Sequence, residues 1–345
     1  NMIRLHNDYN RGACKKILEK LAQINGESYD GYGEDTWCEK AAELIREKCK
    51  APEAAIHFLP GATQANFIVH AAALSPIQSV ICPDSGHVYA HEAGSIENTG
   101  HKLVPLPSTD GKISAEQIRE VAASYYNSGE PNYICEPKMV YISFPTEWGT
   151  IYSEQELREI RKVCNEYGMY LFADGARLGY GLGSVKNDLT LEKLAELTDV
   201  FYIGGTKCGA LFGEALVITN KKLARKFRTY MKQNGAVMAK GWLLGMQFCS
   251  LLEDGTYEKM TAQADAYALE IKVAFKEKGI REYVESYTNQ LFVVLTKEQA
   301  EVLGKEYTFE YLQDLADGSM VVRFCTSWAT TEAEKDRLIR DIRAL

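Results

Sequence analysis

Short apolar runs alternate with longer segments of helical period through the first two thirds of the chain. The runs are four to six residues long and most are apolar on both faces, which is typical of strands buried in a mainly parallel sheet. They predict strands at Ala55–Leu59, Ser79–Cys82, Met139–Phe144, Tyr170–Asp174, Val200–Ile203 and Ala215–Thr219. Together with the helical segments between them, these strands indicate an α/β fold, in which ligands bind where strands end.

The pattern changes beyond about residue 220: helices are predicted at Lys221–Lys232 and Gly241–Leu252, and a second domain begins near residue 253. A long helix is predicted first, followed by a strand, a helix, a strand and a helix at Tyr257–Lys278, Gln290–Thr296, Lys297–Lys305, Met320–Thr326 and Ala333–Ile342. We therefore predict an amino-terminal segment and a large domain over residues 1–252, and a small α+β domain over residues 253–345.

The composition excludes several classes of partner. The chain has 345 residues, 47 of them acidic and 39 basic, so its net charge is −8 without any basic cluster. Nucleic acid and anionic membranes are therefore not expected as partners. The nine cysteines lack C-x-x-C spacing, and the first residues show no basic-then-apolar leader. We expect buried thiols, no metal site and a cytoplasmic protein.

An aspartate and a lysine follow two neighbouring strands of the predicted sheet. Asp174 ends one strand, and Lys207 lies 33 residues later in the segment Gly204–Gly209, just after another strand. Carboxyl ends of parallel strands meet at one edge of a sheet, so the two side chains could face one crevice. An amine desolvated there would favour its neutral, nucleophilic form. Taken alone, such a segment is more often a simple turn with a flexible lysine.

Two further segments could bind a ligand at the same edge. Gly61–Asn66 follows a strand and opens a helix, so its free backbone N–H groups and the Thr63 hydroxyl could bind phosphate. His87 follows another strand, where an imidazole could stack on a planar ligand or act as an acid or base. Each feature is weak when taken singly. Together they supply what pyridoxal phosphate requires: a phosphate site, a stacking ring, an acid and a Schiff-base lysine.

The order of these features resembles the fold-type I pyridoxal-phosphate enzymes, and more narrowly the threonine aldolase/β-eliminating lyase family. The matching segments span nearly the whole chain: His6–Tyr9, Tyr32–Trp37, Pro60–Asn66, Ser79–Cys82 with His87, Asp174–Leu178, Gly204–Gly209 and Val322–Trp328. The resemblance implies an amino-acid substrate, pyridoxal 5'-phosphate as cofactor, and a homodimer or homotetramer with sites between subunits.

The resemblance also implies roles for individual residues. Lys207 would bind the cofactor covalently, Asp174 would keep its pyridine nitrogen protonated, and His87 would stack on its ring. The phosphate would be bound by Ala62, Thr63 and Thr206. The substrate carboxylate would be bound by Asn7, Arg177 and Arg323. Tyr32 and Lys240 could enter the site from a partner subunit.

Three departures from the family pattern bear on the substrate. Asn7 replaces a serine, Ala62 replaces a glycine, and Glu147 stands where many members carry a histidine near the β-hydroxyl. The implied reaction cleaves threonine or allo-threonine to glycine and acetaldehyde. A β-eliminating lyase, an aminotransferase or a racemase remains an alternative, and so does a binding protein without turnover. The catalytic base could be His87, Glu147 or a water held by either.

Overall fold

A computed structural model describes all residues, Asn1–Leu345. Its strands are β1 (Ile3–Arg4), β2 (Ala55–Leu59), β3 (Gln78–Pro83), β4 (Lys102–Leu106), β5 (Glu136–Ser143), β6 (Tyr170–Asp174), β7 (Val200–Gly204), β8 (Glu214–Ile218), β9 (Glu282–Val284), β10 (Gln290–Leu295), β11 (Tyr307–Thr308), β12 (Glu310–Asp314) and β13 (Met320–Cys325).

Fourteen α-helices connect and cover these strands. They are α1 (Lys15–Ile24), α2 (Thr36–Cys49), α3 (Ala62–Ala73), α4 (His87–Ala90), α5 (Ala115–Tyr126), α6 (Glu154–Tyr167), α7 (Leu178–Leu182), α8 (Leu191–Leu197), α9 (Lys221–Ala224), α10 (Phe227–Gln233), α11 (Trp242–Leu252), α12 (Thr256–Glu277), α13 (Lys297–Gly304) and α14 (Glu332–Arg343). None of them combines the length and the apolar character needed to cross a membrane.

The large domain is built on a seven-stranded sheet in the order β2-β8-β7-β6-β5-β3-β4. The pairs from β4 through β7 are parallel, whereas β8 runs antiparallel to both of its neighbours. Alternate residues of β5 enter two different cores: Val140 and Ile142 pack on one face, Met139 and Tyr141 on the other. The predicted α/β class with a mainly parallel sheet is confirmed, because strands apolar on both faces are stable only between two layers of helices.

The carboxyl-terminal domain is built on a four-stranded antiparallel sheet in the order β12-β13-β10-β9. Residues of α12 and α14 pack with this sheet in a third core, which also contains Ile3 and Leu5 from the start of the chain. Strand β1 pairs in parallel with β11. The amino-terminal strand therefore packs with the second domain, although we predicted residues 1–252 as one unit with the large domain.

Two further differences from the predicted elements have local causes. The helix predicted over 221–232 is two helices, α9 and α10, because Lys226 between them adopts a left-handed backbone with φ of 62°. Strand β4 was not predicted: it is an edge strand that contains Pro105, which cannot donate a hydrogen bond to a neighbouring strand.

Candidate active site

The carboxyl ends of β5, β6 and β7 lie side by side and border one cavity. Ser143 and Asp174 end the first two strands, and Lys207 follows the third. The cavity is lined by Ala62, His87, Ser143, Pro145, Thr146, Glu147, Asp174, Ala176, Arg177 and Lys207. The structure thus brings together six of the site residues predicted from the sequence, taken from five separate segments.

Lys207 is half-buried, and the ring of Tyr9 lies above its amine. The distance from Nζ to the ring centroid is 5.7 Å. Burial and the nearby guanidinium of Arg177 lower the pKa of Lys207, while the carboxylates of Asp8 and Asp174 oppose this shift. A lowered pKa increases the fraction of neutral amine, which is the nucleophilic form.

Asp174 is buried and accepts hydrogen bonds at both of its oxygens. Oδ2 accepts from the Tyr141 hydroxyl at 2.6 Å and from Asn66 Nδ2 at 3.2 Å, and Oδ1 accepts from the Ala176 N–H at 3.0 Å. The next residue must be glycine, because a Cβ at Gly175 would lie 1.8 Å from the Tyr202 carbonyl oxygen. The close approach of these two backbones fixes the direction in which the carboxylate points.

His87 begins α4 and is held at its backbone and at its ring. Its N–H donates to Glu147 Oε1 at 2.9 Å, and its ring atom Nδ1 lies 2.7 Å from Glu92 Oε1. The Glu92 side chain is fully buried, whereas 37% of the His87 side chain is exposed. The imidazole therefore has a buried carboxylate on one side and the cavity on the other.

Glu147 lines the cavity, and one of its two carboxylate oxygens has no hydrogen-bond partner. Its Oε1 also accepts from the Ser143 hydroxyl at 2.6 Å. Its Oε2 is buried and has no hydrogen-bond partner. Burial raises the pKa of Glu147, the hydrogen bond from Ser143 counteracts this, and the charge of Asp174 adds to it. Glu147 is therefore protonated more readily than an exposed glutamate.

Arg177 lines the cavity but is already paired within the chain. Its Nε and Nη2 donate to the two oxygens of Asp8 at 2.7 and 3.0 Å, and Asn289 Nδ2 donates to Asp8 Oδ2 at 2.9 Å. Although burial opposes ionisation, Arg177 lowers the pKa of Asp8 to about 2. Asp8 thus occupies the edge of the guanidinium formed by Nε and Nη2, and Nη1 makes no hydrogen bond to Asp8.

The three residues predicted for the phosphate lie in different surroundings. Ala62 begins α3 and lines the cavity, and the preceding Gly61 caps that helix without a side chain. The N–H groups of the first helical turn are therefore available to an anion. Thr63 is exposed and does not line the cavity. The Thr206 hydroxyl accepts from the Gly213 N–H at 2.9 Å, which supports the loop before Lys207.

Besides Thr63 and Thr206, four more predicted site residues lie outside the cavity lining. Asn7 lines a shallow surface pocket beside β12, and Tyr32 lines a separate pocket beside α2. Lys240 is exposed. Arg323 on β13 donates to Gln290 Oε1 at 3.1 Å and to the His6 carbonyl at 2.6 Å. Their roles toward a substrate or a partner subunit stay predictions.

Sequence reasoning assigned no role to five residues that hold the site: Asp8, Asn66, Glu92, Tyr141 and Ser143. Asp8 and Asn66 lie inside segments that carried the family resemblance, so their positions could have drawn attention. Nothing in the sequence marks Glu92 as buried. No group of three or more His, Cys, Asp or Glu side chains is placed to hold a metal ion.

The chain matches the family model described as beta-eliminating lyase over residues 5–298. A low specificity L-threonine aldolase from a Pseudomonas species is 31% identical over 97% of this chain and 95% of that protein. The solved threonine aldolase of Leishmania major is 43% identical, with a TM-score of 0.96 over 99% of both chains.

A more distant likeness shows the fold alone. An aspartate aminotransferase from Thermus thermophilus superposes with a TM-score of 0.73 at 13% identity, over 100% of this chain and 91% of that chain. The family match and the two threonine aldolases cover nearly all of the sequence. This chain therefore belongs to the beta-eliminating lyase family, with the fold of the fold-type I enzymes.

Proposed function

We propose that the chain binds pyridoxal 5'-phosphate at this cavity and cleaves L-threonine or L-allo-threonine to glycine and acetaldehyde. One observation carries the proposal: the amine of Lys207, the carboxylate of Asp174 and the ring of His87 border a single cavity. The similarity to proteins named as threonine aldolases supports the choice of reaction.

The residues present fit this cofactor. Lys207 has a pKa lowered by burial, as an amine that must attack an aldehyde requires. The first turn of α3 reaches the cavity at Ala62 without a side-chain cap, so its N–H groups can bind the phosphate. Asp174 would bind the pyridine nitrogen, and His87 would lie against the ring. Bound there, pyridoxal phosphate supplies an aldehyde for the amine and a ring that accepts electrons.

The position of the substrate decides which bond breaks. Arg177 would bind the substrate carboxylate through Nη1, because Asp8 occupies its other edge. A guanidinium held by two parallel hydrogen bonds cannot rotate freely, so it would fix the direction of the carboxylate. Arg323 would add a second contact if its hydrogen bonds to Gln290 and His6 and its ion pair with Glu310 rearranged.

Cleavage requires a group that accepts the proton of the β-hydroxyl. His87, through Nε2, and Glu147 are the two candidates among the residues that line the cavity. We infer that His87 accepts the proton, because a buried carboxylate behind its ring stabilises the imidazolium that forms. Glu147 then holds the backbone of His87 in place through Oε1.

The assembly and the location are part of the proposal. We propose a homodimer or homotetramer, with Tyr32 and Lys240 near the site of a partner subunit, on the strength of the family resemblance. Both side chains are exposed in the single chain, so they are accessible to a partner. All nine cysteines are free and eight are buried, which supports a reducing compartment such as the cytoplasm.

The test combines chemistry at the lysine with product analysis. The protein is incubated with pyridoxal phosphate, reduced with borohydride and digested, and the modified peptide is identified. We expect modification at Lys207, and modification elsewhere would overturn the site. Threonine should yield equal amounts of glycine and acetaldehyde. Release of both ammonia and a keto acid would instead indicate a β-eliminating lyase. Formation of a keto acid without release of ammonia would indicate an aminotransferase.

A further inference from the structure

Glu92 is a buried carboxylate that does not itself line the cavity. Its side chain is fully buried. Oε1 lies 2.7 Å from His87 Nδ1 and accepts from Asn66 Nδ2 at 2.7 Å, while Oε2 accepts from the Ser95 hydroxyl at 2.7 Å. A buried charge without partners is strongly destabilising, and these three hydrogen bonds provide its partners.

The contact between Glu92 and His87 determines which ring nitrogen carries hydrogen. An ionised carboxylate only accepts hydrogen bonds, so Nδ1 of His87 must be the donor. In the neutral ring the lone pair is then on Nε2. Since His87 lines the cavity, Nε2 is the nitrogen left for a substrate.

We propose that Glu92 is a positioning residue that acts through His87. It fixes the tautomer with hydrogen on Nδ1, so that Nε2 accepts the proton of the substrate's β-hydroxyl. The inference rests on the proposed function, since it assigns a role in the same reaction.

The proton transfer balances with the proposed products. The O–H bond of the β-hydroxyl breaks, its proton binds Nε2, and its electron pair becomes the second bond of the aldehyde carbonyl. When the Cα–Cβ bond breaks, the electron pair of the Cα–Cβ bond stays with the fragment that contains Cα. Return of the proton from Nε2 to Cα completes glycine and restores neutral His87.

The charges around His87 fit a base that works near neutral pH. Burial alone would lower the pKa of His87, and so would the charge of Lys207. The hydrogen bond from Nδ1 to Glu92, together with the charges of Asp174 and Glu92, outweighs both and raises the pKa above its usual value. The ring centroids of His91 and His87 are 5.8 Å apart, and Glu147 accepts a hydrogen bond from the His87 backbone N–H.

Asn66 connects Glu92 to Asp174 through hydrogen bonds to both carboxylates. Its Nδ2 donates both to Glu92 Oε1 and to Asp174 Oδ2, at 2.7 and 3.2 Å. The two carboxylates therefore share one neutral donor and are held apart by it. This arrangement keeps both of them oriented, one toward His87 and the other toward the proposed position of the pyridine nitrogen.

The test compares Glu92→Gln with Glu97→Gln in the holoenzyme. Glu97 is an exposed glutamate five residues further along, so its substitution removes the same charge without touching His87. In Glu92→Gln we expect kcat/KM for threonine to fall by about tenfold or more. The acidic limb of its pH profile should move to lower pH, because His87 loses the negative charge that favours its protonated form. Glu97→Gln should match the wild type in both respects.

A second readout does not depend on activity. The protein labelled with 13C at histidine Cε1 is titrated by NMR, and the His87 signal is assigned by its absence in His87→Asn. Glu92→Gln should lower the pKa of His87, and Glu92→Asp, which keeps the charge, should restore it in part. Unchanged titration of His87 in a folded Glu92→Gln would overturn the inference. If His87 titrates as expected in the wild type but the protein does not cleave threonine, the proposed reaction is wrong. The effect of Glu92 on the pKa of His87 would then still be supported.

Discussion

Three carboxylates surround the reacting groups, and each is held by a different set of donors. Asp174 is bound by a phenol, an amide and a backbone N–H, Glu147 by a serine and a backbone N–H, and Glu92 by an imidazole, an amide and a serine. Because the donors differ, the three carboxylates can serve different purposes within one small site.

Asp174 should be indispensable to catalysis. We expect Asp174→Ala to lower kcat by several powers of ten, because the negative charge that would stabilise a protonated pyridine ring is lost, and each tenfold corresponds to about 1.4 kcal/mol. Steady-state release of acetaldehyde from threonine measures the effect. Asp84→Asn, an exposed aspartate after β3, is the matched control. Turnover near the wild-type rate in Asp174→Ala would refute the assignment.

Glu147→Gln should be much milder. The amide oxygen can still accept from Ser143 and from the His87 N–H, so we expect kcat to fall by less than about tenfold and the acidic limb of the pH profile to stay in place. The measurement is the pH dependence of kcat with threonine. A thousandfold loss in a variant that still binds glycine would instead show that Glu147 accepts the proton.

At the residue scale, the sequence draws attention to a side chain where its local neighbours are unusual. Glycines on both sides of Lys207 and a strand ending at Asp174 mark unusual surroundings, and the structure places both residues at one cavity. Glu92 lacks such a mark, because a glutamate shortly after a helix is normally exposed. Its burial depends on Asn66 and Ser95, which reach it only in the folded chain.

At the scale of elements, the segment from His6 to Asn10 links the two domains. Strand β1 pairs with β11, and Asp8 then contacts both Arg177 of the large domain and Asn289 before β10. The Asp8 side chain is fully buried and that of Arg177 is 12% exposed. This segment therefore sets the position of the arginine proposed to bind the substrate.

Asp8→Asn tests that link. We expect the free energy of unfolding to fall by about 3 to 5 kcal/mol, because Arg177 is left buried without its counter-charge. KM for threonine should rise as well, since the guanidinium is no longer fixed. Urea unfolding at pH 7 gives the first quantity. Glu192→Gln breaks an exposed pair with Lys50 and should cost less than about 1 kcal/mol. Equal losses of unfolding free energy in both variants would show that the buried pair stabilises the protein no more than the exposed pair does.

Six of the seven strands of the central sheet, all but β4, were predicted, because their apolar runs extend over both faces. Strand β1 was not predicted, because its two residues, Ile3 and Arg4, form no pattern that a strand requires. Its pairing with β11 involves a partner about 300 residues away, and neither local propensity nor periodicity describes such a contact.

For the whole molecule, stability should depend on pH through buried His70. Burial lowers the pKa of His70 from 6.5 to about 4, so between these values the unfolded chain binds more protons than the folded protein. The stabilisation from the neutral ring is complete above pH 6.5 and is lost as the pH falls toward 4. The full change is about 3 kcal/mol for this residue.

The measurement is urea unfolding of the wild type and His70→Gln between pH 8 and pH 4. The wild type should be the more stable protein at pH 8, and the difference between the two should shrink as the pH falls. A difference that stays constant across this range would mean that His70 does not titrate as its burial implies.

The parallel pairing of β1 with β11 has a consequence for synthesis on the ribosome. The first strand emerges long before Tyr307 and Thr308 exist, so Ile3 and Leu5 remain without their core until most of the polypeptide has been translated. Asp8 likewise lacks its hydrogen bond from Asn289 until that residue has been translated. Closure of such a long loop is slow, so the nascent large domain can form its sheet early while Arg177 stays unanchored. Activity should therefore appear only after release of the complete polypeptide, later than the protease resistance of the seven-stranded sheet.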